Sequence, residues 1–155
     1  MPKLSCRILV INDEHLVLRE FVKGLNAAAR ALDNPLGISF TGVTTAKEAL
    51  SVIESDGDLQ AVLVDDTLYS LARNGKDKEK DKKQLQMSAL ELVQRITRFR
   101  PELDVYILIA QEKEDDVVDA LFAESVDGYF YREERDYRGI YRILNAQIQE
   151  RARTP

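Results

Sequence analysis

The stretch that most constrains this chain is Gln60 to Leu68, Gln-Ala-Val-Leu-Val-Asp-Asp-Thr-Leu. Four apolar residues, Ala61 to Val64, run directly into the acidic pair Asp65-Asp66. A strand buried on both faces of a parallel sheet reads this way when its carboxyl end opens onto a site. Open α/β sheets bind ligands at those ends, so the two carboxylates are functional candidates on position alone.

The flanking segments supply the rest of such a sheet. Arg7 to Ile11 is a short β-branched run expected to form the first, central strand, followed by the polar turn Asn12-Asp13-Glu14. Leu18, Phe21, Val22, Leu25, Ala29 and Leu32 recur at helical spacing, which predicts a helix from about Glu14 to Leu32. Asp33-Asn34-Pro35-Leu36-Gly37 breaks it. Ile38 to Val43 reads as a second strand, and Thr45 with Glu48 has capping-box spacing for a helix from Ala46 to about Ser55.

After the acidic pair the rhythm changes. Lys76 to Lys83 holds five lysines, three acids and no apolar residue, so a flexible charged loop is expected over about 70–87, with docking of an acidic partner as the alternative. Ser88 and Glu91 form a second capping pair before a helix whose face is Ala89, Leu92, Val93 and Ile96, ended by Pro101. Val105 to Ala110 is the clearest buried strand, Glu112 to Asp116 leads into a further helix, and Tyr129 to Tyr131 is a fifth strand. A last helix from about Asp136 to Arg151 aligns Tyr137, Ile140, Tyr141, Leu144 and Ile148. Alternating strands and helices predict one α/β domain over residues 1–155, a (βα)5 unit with a five-stranded parallel sheet in the order 2-1-3-4-5.

Composition narrows the chemistry. A net charge of −5 argues against a general nucleic-acid binder, and no apolar run nears the roughly 20 residues of a membrane span. The first residues lack a signal-peptide core, so a cytoplasmic protein is expected. Cys6 and His15 are the only residues of their kinds, which excludes internal disulfides, Cys-rich zinc sites and the usual nucleophile-histidine apparatus. Cys6 suits a small buried hydrophobe better than a reactive thiol, and His15 a solvated or capping residue better than a catalytic one. The seven glycines form neither a G-x-G-x-x-G nor a P-loop pattern.

In that strand order Asp13 and Asp65 converge at one end of the sheet. Clustered carboxylates there can hold Mg²⁺, and one can serve as nucleophile toward a phosphoryl group. Ile-Leu-Val-Ile-Asn-Asp-Glu at 8–14, Val-Leu-Val-Asp-Asp-Thr-Leu at 62–68, Ser-Ala-Leu-Glu-Leu-Val-Gln-Arg-Ile at 88–96 and Val-Asp-Gly-Tyr-Phe at 126–130 resemble the response-regulator receiver domain, a flavodoxin-like three-layer sandwich. The resemblance implies Asp65 as phosphoacceptor, with Asn12, Asp13 and Asp66 on the acidic metal side and Mg²⁺ at Asp13 and Asp65. It also implies a Ser or Thr where Ile109 and Ala110 stand, and a Lys where Arg132 stands. Isoleucine and alanine offer no hydrogen bond, and arginine differs from lysine in reach and geometry. Asp65 is therefore expected to persist as a vestigial polar feature, solvated or paired with Arg132 or a nearby backbone N–H.

A second resemblance accommodates those departures. Pro101 to Asp104 with the strand that follows, Val126 to Phe130, Glu133-Glu134 and Asp136-Tyr137 are similar to the second half of the receiver-like wing domain of bacterial ornithine, lysine and arginine decarboxylases. The ending Gln149 to Pro155 is similar to the lead into their catalytic domain, which implies one domain of a longer lyase. It implies a non-catalytic assembly or regulatory role and protein partners, with self-association through Tyr129, Tyr131, Tyr137 and Tyr141. Pyridoxal phosphate would belong to a downstream catalytic domain, because His15 is followed by Leu16 and not by the family's cofactor lysine.

Overall fold

Five parallel strands form one sheet in the order β2-β1-β3-β4-β5, as predicted. They are β1 (Cys6–Ile11), β2 (Ile38–Val43), β3 (Leu59–Asp65), β4 (Asp104–Ile109) and β5 (Gly128–Tyr131). The helices are α1 (His15–Ala31), α2 (Ala46–Ser55), α3 (Ala89–Phe99) and α4 (Tyr137–Arg153). The structure, a computed structural model, describes residues 6–65, 89–109, 126–131 and 136–153. The charged loop at about 70–87, the helix start at Ser88, and the helix expected between β4 and β5 lie outside the described residues.

Alternation along the strands builds two cores. Leu9, Ile11, Val62, Val64, Val105, Ile107 and Ile109 point to the α2 and α3 side, where Ile53, Leu92, Val93 and Ile96 complete the packing. Ile8, Val10, Ala61, Leu63, Tyr106 and Leu108 point to the other side, against Phe21 and Leu25 of α1 and Ile140 and Leu144 of α4. Helices thus cover both faces, which is why the strands read as continuous apolar runs. Each large aliphatic side chain taken out of water this way contributes about 1.5–3 kcal/mol.

Local chemistry places the helices as the sequence predicts. Thr45 caps α2, its hydroxyl accepting from the Glu48 N–H at 3.1 Å. Gly37, with φ 64°, makes the left-handed turn into β2. Gly24 lets α1 approach α4 so closely that a Cβ there would run into the Tyr137 ring. Cys6 lies within β1 and is buried, and burial pushes its thiol up to about 11, as befits an inert core residue. His15 opens α1 on the surface. Among the described residues, no helix is long and apolar enough to cross a membrane.

The four tyrosines do not share a surface. Tyr129 and Tyr131 pack on the α2–α3 side, with ring centroids 5.7 Å apart, whereas Tyr137 and Tyr141 belong to the α1–α4 side. Tyr141 is only 1% exposed, and its hydroxyl donates to the Asp33 carbonyl at 2.7 Å. The expected interface cluster is corrected accordingly: Tyr141 is core, and Tyr137 packs edge-on against Phe21 at 5.3 Å.

Candidate functional site

The carboxyl ends of β1 and β3 meet as predicted. Ile11 registers with Val64, so the next residues, Asn12 and Asp65, stand side by side where the central strands end. The Asn12 amide Nδ2 donates to Asp65 Oδ2 at 2.7 Å, and both residues are buried, at 3% and 0% exposure. The Asn12 Oδ1 accepts from the Glu14 N–H at 2.8 Å and its own N–H reaches the Val43 carbonyl at 3.2 Å. The asparagine is thereby fixed from three sides, and one face of the Asp65 carboxylate is committed to it.

Other expected site residues divide sharply. Asp13 follows at the β1 end and is half-buried. Ile109, one of the two positions at which the receiver resemblance implies a hydroxyl, is fully buried in the α2–α3 core and registers with Tyr131. Asp66, Ala110 and Arg132 lie outside the described residues. Of the environments expected for Asp65, only the solvated one is corrected: the carboxylate sits inside the domain, and its hydrogen bond to Asn12 is one of its interactions.

This donor set suits a hard cation poorly. An amide hydrogen of Asn12 occupies an Asp65 oxygen, and among the described residues no three His, Cys, Asp or Glu side chains assemble as a metal-binding group. What the arrangement does is satisfy a buried carboxylate and tie β1 to β3.

Sequence reasoning missed a second polar cluster, at the opposite end of the sheet. Asp104 opens β4, is 7% exposed, and pairs with Arg151 of α4 at 2.9 Å. Burial pushes its carboxyl up to about 6; Arg151 pulls it down and Asp127 adds to the rise. The visible signal was an acid standing directly before the apolar run 105–109.

The architecture defines the receiver-type class of flavodoxin-like α/β folds. Solved receiver domains superpose over nearly the whole chain. One from Methanospirillum hungatei, CheY-like, has a TM-score of 0.69 at 16% identity and covers 97% of this chain and 99% of its own. A receiver domain from Clostridium thermocellum gives 0.67 at 18%, with 95% and 97% covered. The receiver domain of Francisella response regulator 1452 gives 0.64 at 15%, with 96% and 100% covered. These likenesses establish the fold and favour the receiver resemblance over the decarboxylase wing. The sequence matches no protein-family model and no curated protein.

Proposed function

We propose that the chain is a receiver-type regulatory domain that works through protein contact and does not pass a phosphoryl group through Asp65. The observation carrying this is the sealed strand end: Asp65 is fully buried, held by Asn12 at 2.7 Å, and registered with the apolar Leu108 of β4. A phosphoacceptor needs an open oxygen, a cation and a hydroxyl to sense the product. The described residues supply a closed oxygen and an apolar wall. Protein partners, including a second copy, would meet the terminal strand β5, where Tyr129 and Tyr131 are half-buried.

Incubation with acetyl phosphate and Mg²⁺, read by intact mass, tests the proposal. The expected result is no gain of a phosphoryl group. A gain that disappears in Asp65→Ala establishes the second reading, a phosphorylated response-regulator receiver. That reading is favoured by Asp13 standing next to the Asn12–Asp65 pair.

The decarboxylase wing is a narrower form of the same contact role. It is supported by the sequence similarities at 101–104, 126–130 and 133–137 and by the same sealed Asp65. Sequencing the natural reading frame decides it: a downstream domain with a pyridoxal-phosphate lysine supports the wing, and a stop after Pro155 removes it.

A further inference from the structure

On the side away from β5 the sheet ends in β2, whose outer edge has no neighbouring strand among the described residues. The backbone groups of successive strand residues point to alternate sides. Val43 faces β1, its carbonyl accepting the Asn12 N–H, so Ile38, Phe40 and Gly42 present their N–H and C=O outward. Two of these three are clasped by a side-chain amide that imitates a further strand. Asn34 Oδ1 accepts the Ile38 N–H at 2.9 Å and its Nδ2 donates to the Ile38 carbonyl at 3.1 Å. Asn26 does the same for Phe40, at 2.9 and 3.0 Å. Gly42 is exposed and has no such clasp among the described residues. An edge left open in this way is a template for another chain.

The helix beside this edge explains the gap. Leu18 lies over Gly42 and Asn26 reaches Phe40, so α1 runs against the direction of β2. Four helix residues span about 6 Å and two strand residues about 6.6 Å. The α1 position that corresponds at Gly42 to Asn26 at Phe40 is therefore Val22, which has no amide to offer. Around it runs an open groove of about 400 Å³, lined by Leu18, Val22, Gly42 and the row His15, Arg19 and Lys23. The three basic residues recur every fourth position, all are exposed, and no acid lines the groove among the described residues. In a chain of net charge −5 the sign is locally reversed.

We infer that Gly42 and the α1 basic row receive an acidic segment of a partner protein, which lies extended along the end of β2, exchanges backbone hydrogen bonds with Gly42 and sets its carboxylates against Arg19 and Lys23. Strand addition at a sheet edge draws affinity from main-chain bonds and specificity from alternate side chains. A bare anion matches the Gly42 N–H but is repelled by the Gly42 carbonyl, whereas a peptide carries both a donor and an acceptor. The carboxylates select the partner through the three basic residues. Asn26 and Asn34 end the pairing beyond Gly42, which keeps the contact short and bars the long edge-to-edge pairing of two copies. This surface is separate from Asp65 and from β5.

The probe is the acetylated, amidated pentapeptide Val-Glu-Val-Glu-Val, titrated into the full chain at neutral pH and constant ionic strength and followed by the amide resonances of Lys23, Thr41 and Gly42. Saturable shifts are expected. The same peptide with lysine for glutamate, and the glutamate peptide methylated on every backbone nitrogen, should each bind about tenfold more weakly or worse. Arg19→Glu with Lys23→Glu, both at exposed positions, should lower affinity by a similar factor of about ten. Val22→Asn supplies the missing amide from α1 itself and should close Gly42 to the peptide; where that variant does not fold, the charge-reversed pair decides. Shifts without saturation, equal binding of the lysine or N-methylated peptide, or unchanged affinity in the charge-reversed pair or in folded Val22→Asn would each overturn the assignment. Shifts that grow with protein concentration alone would overturn it too, in favour of a second copy at this edge.

Discussion

The Asn12 side-chain amide donates to Asp65 Oδ2 across 2.7 Å, joining the ends of two neighbouring strands inside the domain. A neutral donor here resolves what two acids could not. Asn12→Asp sets two carboxylates against each other out of water and should lower stability by about 1–3 kcal/mol at pH 7, read by urea unfolding. The exchanged pair, Asn12→Asp with Asp65→Asn, restores a donor and an acceptor and should recover most of that loss. If the double variant is no better than the worse single one, the hydrogen bond is not what holds the strand ends.

Gly24 provides a test in which the sign is decisive. In an open helix interior, replacing glycine with alanine stabilises by about 1 kcal/mol. Here the new methyl meets the Tyr137 ring, and overpacking of this kind costs about 1–3 kcal/mol. Gly24→Ala should therefore destabilise or break even, and combining it with Tyr137→Ala should return the helix-propensity gain. Thermal unfolding of the two variants separates the contributions.

The fold was legible because burial on both faces leaves a direct mark: Ile8 to Ile11, Ala61 to Val64 and Val105 to Ile109 are apolar without interruption. The α1 and α4 faces were equally plain, since Leu18, Phe21 and Leu25, and Ile140, Leu144 and Ile148, recur at helical spacing and are buried. Side-chain partners were less legible. Asp65 could be placed at a strand end, but its partner depended on the rotamer of Asn12, which has no signature in the sequence. The tyrosines mislead because closeness in sequence is not closeness in space: Tyr129 and Tyr131 pack on the α2–α3 core, Tyr137 and Tyr141 on the α1–α4 core. Asp104 carries little signal in the sequence because its partner, Arg151, arrives from the far end of the chain.

Tyr141 ties the last helix to the α1–β2 turn. Its hydroxyl reaches the Asp33 carbonyl at 2.7 Å and Asn34 Oδ1 at 2.9 Å, and Asn34 in turn bonds both the N–H and carbonyl of Ile38. Tyr141→Phe keeps the ring and removes the hydroxyl, so a loss of about 0.5–1.5 kcal/mol is expected. Faster amide exchange at Gly37 and Ile38 should accompany it. A loss of stability without local exchange would place the effect elsewhere in the core.

Asp104 and Arg151 make stability depend on pH in a direction opposite to that of an ordinary paired acid. The folded carboxyl is raised to about 6 from an ordinary value of 3.8, so below pH 4 both states carry the proton. Between about pH 4 and 6 only the folded state does, and the group's contribution falls by roughly 1.4 kcal/mol per pH unit, then stays level above 6. Asp104→Asn removes this slope while every other carboxylate remains. The stability of the variant relative to the parent should therefore climb by about 2–3 kcal/mol between pH 4 and pH 7. Arg151→Ala should act conversely, costing little near pH 4 and about 1–3 kcal/mol at pH 7, because it strands an ionised carboxylate in the interior. Urea unfolding of the three proteins across that interval checks both expectations, and parallel pH profiles would show that Asp104 does not titrate there.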